Sequence, residues 1–161
     1  VKIAEAAKIA DQLAKNEILP EGQTFKELDE GKTKEIQNEK SQILEVYEGY
    51  NGDNLIGYTI KTKVKGYGGE MELMTGISVE GKITGIKILN HGETPGLGAN
   101  ATKSYFTDSF ADKPVDNEIT AVKEPKEDNE VQALTSATIT TNAVVDGVNI
   151  VREVYNSQLA N

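Results

Sequence analysis

Four strand-like segments joined by short turns, between residues 43 and 89, constrain the fold more than any other feature of this sequence. The first two are separated only by Asn51-Gly52-Asp53-Asn54, and the last two only by Glu80-Gly81-Lys82. Connections this short join antiparallel neighbours, because a parallel crossover needs a dozen or more residues. The segments are Ile43 to Tyr50, Leu55 to Lys65, a third that contains Met71 to Val79, and Ile83 to Leu89. The sequence therefore predicts a four-stranded antiparallel meander.

Alternation within the second segment predicts a half-buried strand, with one face in the core and one in water. The alternating residues are apolar Ile56, Tyr58, Ile60 and Val64 and polar Thr59, Lys61 and Lys63. In the third segment the same spacing places Met71, Leu73, Ile77 and Val79 on one face. We therefore expect these strands to bury one face in the core.

Helical periodicity marks three other parts of the chain. Residues 2–16 predict an amphipathic helix, residues 99–112 a helix with Asn100 as N-cap, and residues 138–159 a long C-terminal helix. Residues 20–40 are polar and predict a loop with a short strand, and residues 115–124 predict a further strand. This order of elements predicts a single α+β domain, an antiparallel meander packed with helices.

The domain divides into two parts by composition. Residues 1–40 form an N-terminal helix and polar connector, which would be a juxtamembrane stalk if a membrane anchor precedes it, and residues 41–161 form the folded domain. No run of 18 apolar residues, the length that spans a bilayer, is present.

Composition excludes several classes of function. The chain of 161 residues has 17 Lys and Arg against 26 Asp and Glu, a net charge of −9 that disfavours binding to nucleic-acid phosphates. It contains no cysteine and one histidine, His91, which excludes disulfides, thiolate nucleophiles and multi-histidine metal sites. No Gly-x-Ser-x-Gly elbow or phosphate-binding Walker sequence occurs, so we expect neither catalytic nor metal-ligating residues.

The segment from Asn90 to Gly98 is a first candidate site. It follows a predicted strand and holds three glycines, a proline, a carboxylate and the single histidine within nine residues. Glycines allow backbone to approach a flat or charged ligand closely. The same composition is also typical of an ordinary turn.

The segment from Ala133 to Thr141, at the start of the last helix, is a second candidate site. Five hydroxyl side chains occur between Thr135 and Thr141. Helix N-termini expose backbone N–H groups that attract anions, so a phosphate could bind here. A simple hydroxyl cap of the helix explains the same residues equally well.

These two segments resemble the FMN-binding domain of the G subunit of the Rnf electron-transport complex and of the C subunit of the sodium-translocating NADH:quinone reductase. His91-Gly92-Glu93-Thr94-Pro95-Gly96-Leu97-Gly98 resembles the family sequence His-x-Glu-Thr-Pro-Gly-Leu-Gly. Leu134-Thr135-Ser136-Ala137-Thr138-Ile139-Thr140 resembles the family's flavinylation motif, and Gly66-Tyr67-Gly68-Gly69 resembles a looser third element. The resemblance spans residues 40–155 and makes residues 41–161 the FMN-binding domain.

The resemblance implies that a flavin transferase joins the phosphate of FMN to the hydroxyl of Thr138 as a phosphoester. It also implies further cofactor-binding residues, which fall into three groups. Those near the phosphate and ribityl chain are Thr135, Ser136, Ala137, Ile139 and Thr140; those lining the ring pocket are Glu93, Thr94, Gly96, Leu97 and Gly98; weaker candidates are Leu134 and Tyr67. Ser136 stands where the family usually has glycine, and Gln132 where it often has aspartate.

The function implied by the resemblance is electron transfer by a covalent flavoprotein subunit of an ion-translocating membrane complex, rather than catalysis by a stand-alone enzyme. Its partners would be the other subunits of a Rnf-type or Nqr-type complex. The domain would lie on the extracytoplasmic face, attached by a transmembrane helix that these 161 residues lack. A non-redox ligand-binding module, or a domain that binds FMN non-covalently, remains an alternative.

Overall fold

The computed structural model describes residues 12–66, 68–90, 103–134 and 137–160, with the side chains of residues 90, 104 and 105 left out. The helices are α1 (12–18), α2 (Glu30–Glu39), α3 (Ser104–Thr107, continued by a 3-10 turn Asp108–Phe110) and α4 (Thr138–Val154, continued by a π-helical turn Tyr155–Leu159). The strands are β1 (Thr24–Glu27), β2 (Ile43–Asn51), β3 (Asn54–Gly66), β4 (Gly69–Ser78), β5 (Lys82–Asn90), β6 (Thr120–Val122) and β7 (Glu130–Gln132).

The antiparallel meander predicted from the sequence is confirmed. Strands β1 to β5 form one antiparallel sheet in chain order, and β6 and β7 form a separate parallel pair. Gly52 (φ +62°) and Gly81 (φ +84°) adopt left-handed conformations in the β2–β3 and β4–β5 turns, which residues with a side chain rarely adopt. These two glycines therefore favour the tight turns that set the register between β2 and β3 and between β4 and β5.

Helix α4 packs across β3 and β4 and forms the main core. Its apolar stripe, including Val144, Val148 and Val151, is fully buried against residues such as Ile60 and Leu73. Complete burial of each such side chain contributes ~1.5–3 kcal/mol of hydrophobic free energy. The sheet face that packs on α4 is called the helix face below.

The expectation that residues 20–40 form a loop was wrong over its second half. The short strand expected there is β1, but Glu30–Glu39 forms helix α2, whose first turn is capped by the Asp29 side chain accepting the Lys32 N–H. Ile36 is the only residue of α2 that is buried. Periodicity could not reveal a helix with a single apolar anchor, whereas the capping aspartate was a usable signal.

Two other boundaries differ from the prediction. The helix predicted at 99–112 is described from residue 103 and ends at Phe110, where Ala111 turns extended; its predicted cap, Asn100, lies outside the described residues. The strand predicted at 115–124 is confined to Thr120–Val122, and its parallel partner β7 was not predicted. Strands of three residues carry too little alternation to be recognised.

Part of the other face of the sheet is also covered: Thr59, predicted to face water, is buried, whereas Lys63 is exposed as the alternation predicted. Gly49, Gly57, Gly76 and Gly85 occupy adjacent positions of β2 to β5, with Gly49 paired to Gly57 and Gly76 to Gly85; we call them the glycine patch. Ile18 and Leu19 lie on this patch, and a Cβ at Gly76 would come within 2.5 Å of the Ile18 carbonyl oxygen. Because glycine has no side chain, the backbone at Ile18 can pack directly on the sheet.

Polar contacts hold the described end of α1 on the glycine patch. The Thr84 hydroxyl donates to the Ile18 carbonyl, and Lys87 pairs with Glu17. The Lys15 ammonium lies 3.4 Å from the centroid of the Tyr47 ring, a cation–π contact. Within the described ranges, no helix is both long and apolar enough to cross a membrane.

We expect Gly49→Ala and Leu19→Ala to compensate for each other, because a Cβ at Gly49 would lie 2.5 Å from Leu19 Cδ2. Alone, Gly49→Ala should lower the free energy of unfolding by ~1–3 kcal/mol through overpacking, and Leu19→Ala by ~2–5 kcal/mol through a cavity. Urea unfolding of both single variants and the double variant should show a coupling of at least ~1 kcal/mol. Strictly additive losses would mean that Leu19 does not lie on Gly49 in solution.

Candidate functional site

The structure describes five of the predicted site residues, all around the start of α4. Thr138 is the first residue of the helix, Ala137 is its N-cap, and Leu134 lies two residues after β7. Ile139 and Thr140 complete the first turn. The other predicted site residues lie outside the described residues: Thr135, Ser136, Tyr67, Glu93, Thr94, Gly96, Leu97 and Gly98.

Burial separates the hydroxyl side chains of the second candidate segment. Thr138 is exposed, whereas Thr140 and Thr141 are each only 1% exposed. Ile139, beside Thr138, is 55% exposed, while Leu134 and Ala137 belong to the main core. Of the three hydroxyls of this segment that the structure describes, Thr138 alone is accessible to a modifying enzyme.

The first turn of α4 has the features of an anion site. Its N-cap is Ala137 (φ −139°, ψ 49°), which makes no side-chain capping hydrogen bond. Ala137 therefore does not provide the hydroxyl cap that the sequence analysis considered. A 17-residue helix concentrates partial positive charge at this end, which favours a phosphate near Thr138.

Strand β7 and the core fix the position of the residues that precede α4. Strand β7 runs parallel to β6, and the Ala133 N–H continues the pairing by donating to the Val122 carbonyl at 2.9 Å. Leu134 then enters the core at 6% exposure. The segment that precedes Thr138 is thus held on its upstream side by backbone pairing and apolar burial.

Thr141 is a functional candidate that the sequence reasoning did not assign. Its hydroxyl accepts from the Leu134 N–H at 3.1 Å and donates to the Ala137 carbonyl at 2.8 Å. The spacing of Thr141 from Ala137, four residues, is typical of a helical hydroxyl bonded to the preceding turn, and this was the one signal present in the sequence. Its contact with Leu134 depends on how the loop folds back.

Asn149 of α4 anchors β6 to the same helix. Its side-chain amide donates to the Ile119 carbonyl and accepts from the Ile119 N–H, both at 2.8 Å. The Arg152 guanidinium and the Asn156 amide both donate to the Val115 carbonyl, at 3.1 and 3.0 Å. Since β6 pairs with β7, α4 positions the strand that leads into its own N-terminus.

The titratable groups near these elements carry structural shifts. The N–H groups of Lys126 (2.9 Å) and Glu127 (3.0 Å) donate to Glu130 at the start of β7 and lower the pKa of its carboxyl. Burial raises the pKa of Tyr58 and of Tyr155, whose rings meet edge to face at 6.2 Å. In the part of the chain that the structure describes, no group of three His, Cys, Asp or Glu residues could hold a metal ion.

Removing the Asn149 amide should destabilise the fold strongly, because both backbone groups of Ile119 would lose their partner. We expect Asn149→Leu to lower the free energy of unfolding by ~2–4 kcal/mol. Asn142→Leu, at an exposed position of the same helix, should change it by less than about 0.5 kcal/mol. Chemical denaturation of the two variants provides the comparison, and equal losses would contradict the anchoring role of Asn149.

Acidification should release Glu130 from its two backbone donors. Because the pKa of Glu130 is lower in the folded state, its stabilising contribution is complete above the unfolded value near 4.5 and disappears as the pH falls through the folded value. Thermal unfolding between about pH 6 and pH 3 should show a shallower acid dependence for Glu130→Gln than for the wild type. An equal acid dependence in the two proteins would contradict the role of the two backbone donors.

Comparisons with known proteins match this architecture. The family model described as "FMN-binding domain" matches residues 66–153, more than half of the chain. Two solved structures share the fold: the C subunit of the Na(+)-translocating NADH-quinone reductase from Parabacteroides distasonis (17% identity, TM-score 0.65, covering 100% of this chain and 85% of that one) and NqrC of Shewanella oneidensis (19%, 0.58, 72% and 56%). At these identities the structures support the fold alone.

Relatives with higher sequence identity are G subunits of ion-translocating complexes. The G subunit of the Na(+)-translocating ferredoxin:NAD(+) oxidoreductase complex of Acetobacterium woodii is 39% identical over 153 residues, which cover 90% of this chain and 73% of that protein. The G subunit of the proton-translocating ferredoxin:NAD(+) oxidoreductase complex of Clostridium ljungdahlii is 43% identical over 102 residues, covering 63% of this chain and 55% of that protein. The chain therefore belongs to the FMN-binding domain family, together with these G subunits.

Proposed function

We propose that this protein is an electron-carrier subunit of a Rnf-type membrane complex and that it carries FMN linked by a phosphoester to Thr138. The observation that carries this proposal is the position of Thr138: an exposed hydroxyl on the first residue of α4, in a chain of the FMN-binding domain family. An accessible hydroxyl can be modified, and a helix N-terminus favours a phosphate attached next to it.

The residues at the start of α4 fit a phosphate group. The helix end supplies backbone N–H groups and partial positive charge, and the N-cap side chain, a methyl group, cannot accept a hydrogen bond from those groups. Leu134 and Ala137, both buried, hold the backbone against the core. Thr135 and Ser136 would border the phosphate, while Glu93, Thr94, Gly96, Leu97, Gly98 and Tyr67 would line the ring pocket.

Attachment is a phosphoryl transfer that leaves the redox state unchanged. The Thr138 oxygen forms a bond to the phosphorus of the FMN unit in a flavin dinucleotide, and the pyrophosphate bond to the nucleoside monophosphate breaks. The threonine proton leaves with that product or passes to solvent. A flavin transferase supplies the catalytic groups, so Thr138 is an attachment point and not a catalytic residue of this chain.

The bound flavin supplies the redox chemistry, and the protein supplies attachment, orientation and the local charge. Cysteine is absent from the chain, so thiol redox chemistry is not an alternative route for electrons. A covalent link keeps the cofactor bound in every redox state, which suits a carrier that passes electrons to neighbouring centres.

The partners that we propose follow from the relatives. The related G subunits are named as parts of ferredoxin:NAD(+) oxidoreductase complexes, so the other subunits of such a complex would exchange electrons with this chain. A flavin transferase would act on it during maturation. We place the domain on the extracytoplasmic face of the membrane, next to those subunits.

Co-expression with a flavin transferase should increase the intact mass of the protein by one FMN less one water. Thr138→Ala should abolish the gain, because the attached oxygen is removed, whereas Thr24→Ala, at an exposed threonine of β1, should retain it. Mass spectrometry of the denatured protein separates covalent from non-covalent FMN.

Two outcomes would contradict the proposal. No gain in the wild type, with the transferase active on another substrate, would favour non-covalent binding or a non-redox role. An equal gain in Thr138→Ala would place the attachment at a different hydroxyl.

A further inference from the structure

The Thr141 hydroxyl joins both ends of the segment that precedes the attachment residue. It accepts the Leu134 N–H (3.1 Å) and donates to the Ala137 carbonyl (2.8 Å). The Thr141 N–H also donates to the Ala137 carbonyl at 2.9 Å, and the Ala137 N–H donates to the Leu134 carbonyl at 3.3 Å. Leu134 and Ala137, which flank positions 135 and 136, are therefore both hydrogen-bonded to the Thr141 side chain.

Burial makes these bonds difficult to replace. Thr141 is 1% exposed, and Leu134 and Ala137 also lie in the core. Water therefore cannot take the place of the hydroxyl without a rearrangement, and the Leu134 N–H would lose its partner if the hydroxyl were removed. A helical threonine often bonds to the carbonyl four residues earlier, but that bond alone would not involve Leu134.

Three buried threonines of the sheet behave differently from Thr141. The hydroxyls of Thr59, Thr62 and Thr75, in β3 and β4, are buried and have no hydrogen-bond partner in the described structure. These residues fill the pleated sheet as β-branched side chains. The two bonds of Thr141 are thus not a general consequence of burying a threonine, and Thr75, with 0% exposure, offers a matched control.

We propose that Thr141 is a positioning residue for flavinylation: its hydroxyl fixes the backbone of Leu134 and of Ala137 and so presents Thr138 to the transferase. The proposal rests on the proposed attachment of FMN at Thr138. The reason is geometric, because an acceptor hydroxyl displaced by about 1 Å from its reactive position can cost ~100-fold in rate. Thr141 itself touches neither cofactor nor reacting atoms in this proposal.

The test compares flavinylation rates of purified apo-protein variants by intact mass, with transferase and flavin dinucleotide supplied. Thr141→Val, which keeps the shape and removes the hydroxyl, should react at least ~10-fold more slowly than the wild type. Thr141→Ser, which restores the hydroxyl, should stay within about 3-fold of it. Thr75→Val, an equally buried change without lost bonds, should react at the wild-type rate.

Amide hydrogen exchange provides a readout of position that does not depend on the transferase. In Thr141→Val the Leu134 amide should lose protection, while the Val148 amide in the middle of α4 should keep it. Rates are compared at a temperature at which near-ultraviolet circular dichroism shows every variant folded. If the valine variant does not fold, Thr141→Ala takes its place under the same criteria.

The two proposals fail in different ways. A wild type that accepts flavin, with Thr141→Val reacting at the same rate, would overturn the positioning role and leave Thr138 as the attachment site. A slow valine variant that serine does not rescue would also overturn it. A wild type that never accepts flavin would overturn the proposed function itself, whatever the exchange at Leu134 shows.

Discussion

The packing of α4 on the helix face of the sheet is the contact on which the rest of the structure depends. Helix and sheet approach closely at Gly147, where a Cβ would lie only 2.8 Å from the side chains of Val64 and Leu73. From this one helix, Asn149 holds the residue before β6, and Thr141 holds the residues after β7. At the far end, Ser157 and Gln158 donate to Glu39 of α2. One buried stripe therefore sets the position of elements far apart in the chain.

The sheet has two covered faces that use different chemistry. On the helix face, large aliphatic side chains fill the space between strands and α4. On the opposite face, the glycine patch lets Ile18 and Leu19 lie directly on the strands, with a smaller apolar cluster around Ala14 and Met74. The described turns of α1 and the start of α4 are thus on opposite sides of the sheet.

Sequence reasoning succeeded where local patterns carry the information. Turn glycines and alternating strands predicted the meander, and helical periodicity predicted that the last helix starts near Thr138, where α4 begins. It failed for α2, because a helix with one buried residue, Ile36, has no apolar period. It also missed the glycine patch, because the four glycines come together only when the strands pair. Most of the predicted pocket lies in segments 91–102 and 135–136, and the cofactor contacts of their residues stay predictions.

By itself, the sequence determined the α+β class, the order of the central strands and the family, because these depend on residue types at short separations. Only the tertiary structure decided which hydroxyls near the start of α4 face water and which are enclosed. Thr138, Thr140 and Thr141 are chemically alike, and the sequence analysis did not separate Thr138 from Thr140 as neighbours of the cofactor. The difference arises when α4 packs on the sheet, which leaves Thr138 exposed and turns Thr141 toward Leu134 and Ala137. The hydrogen-bond partners of a buried hydroxyl follow from long-range packing, which a local pattern of residue types does not specify.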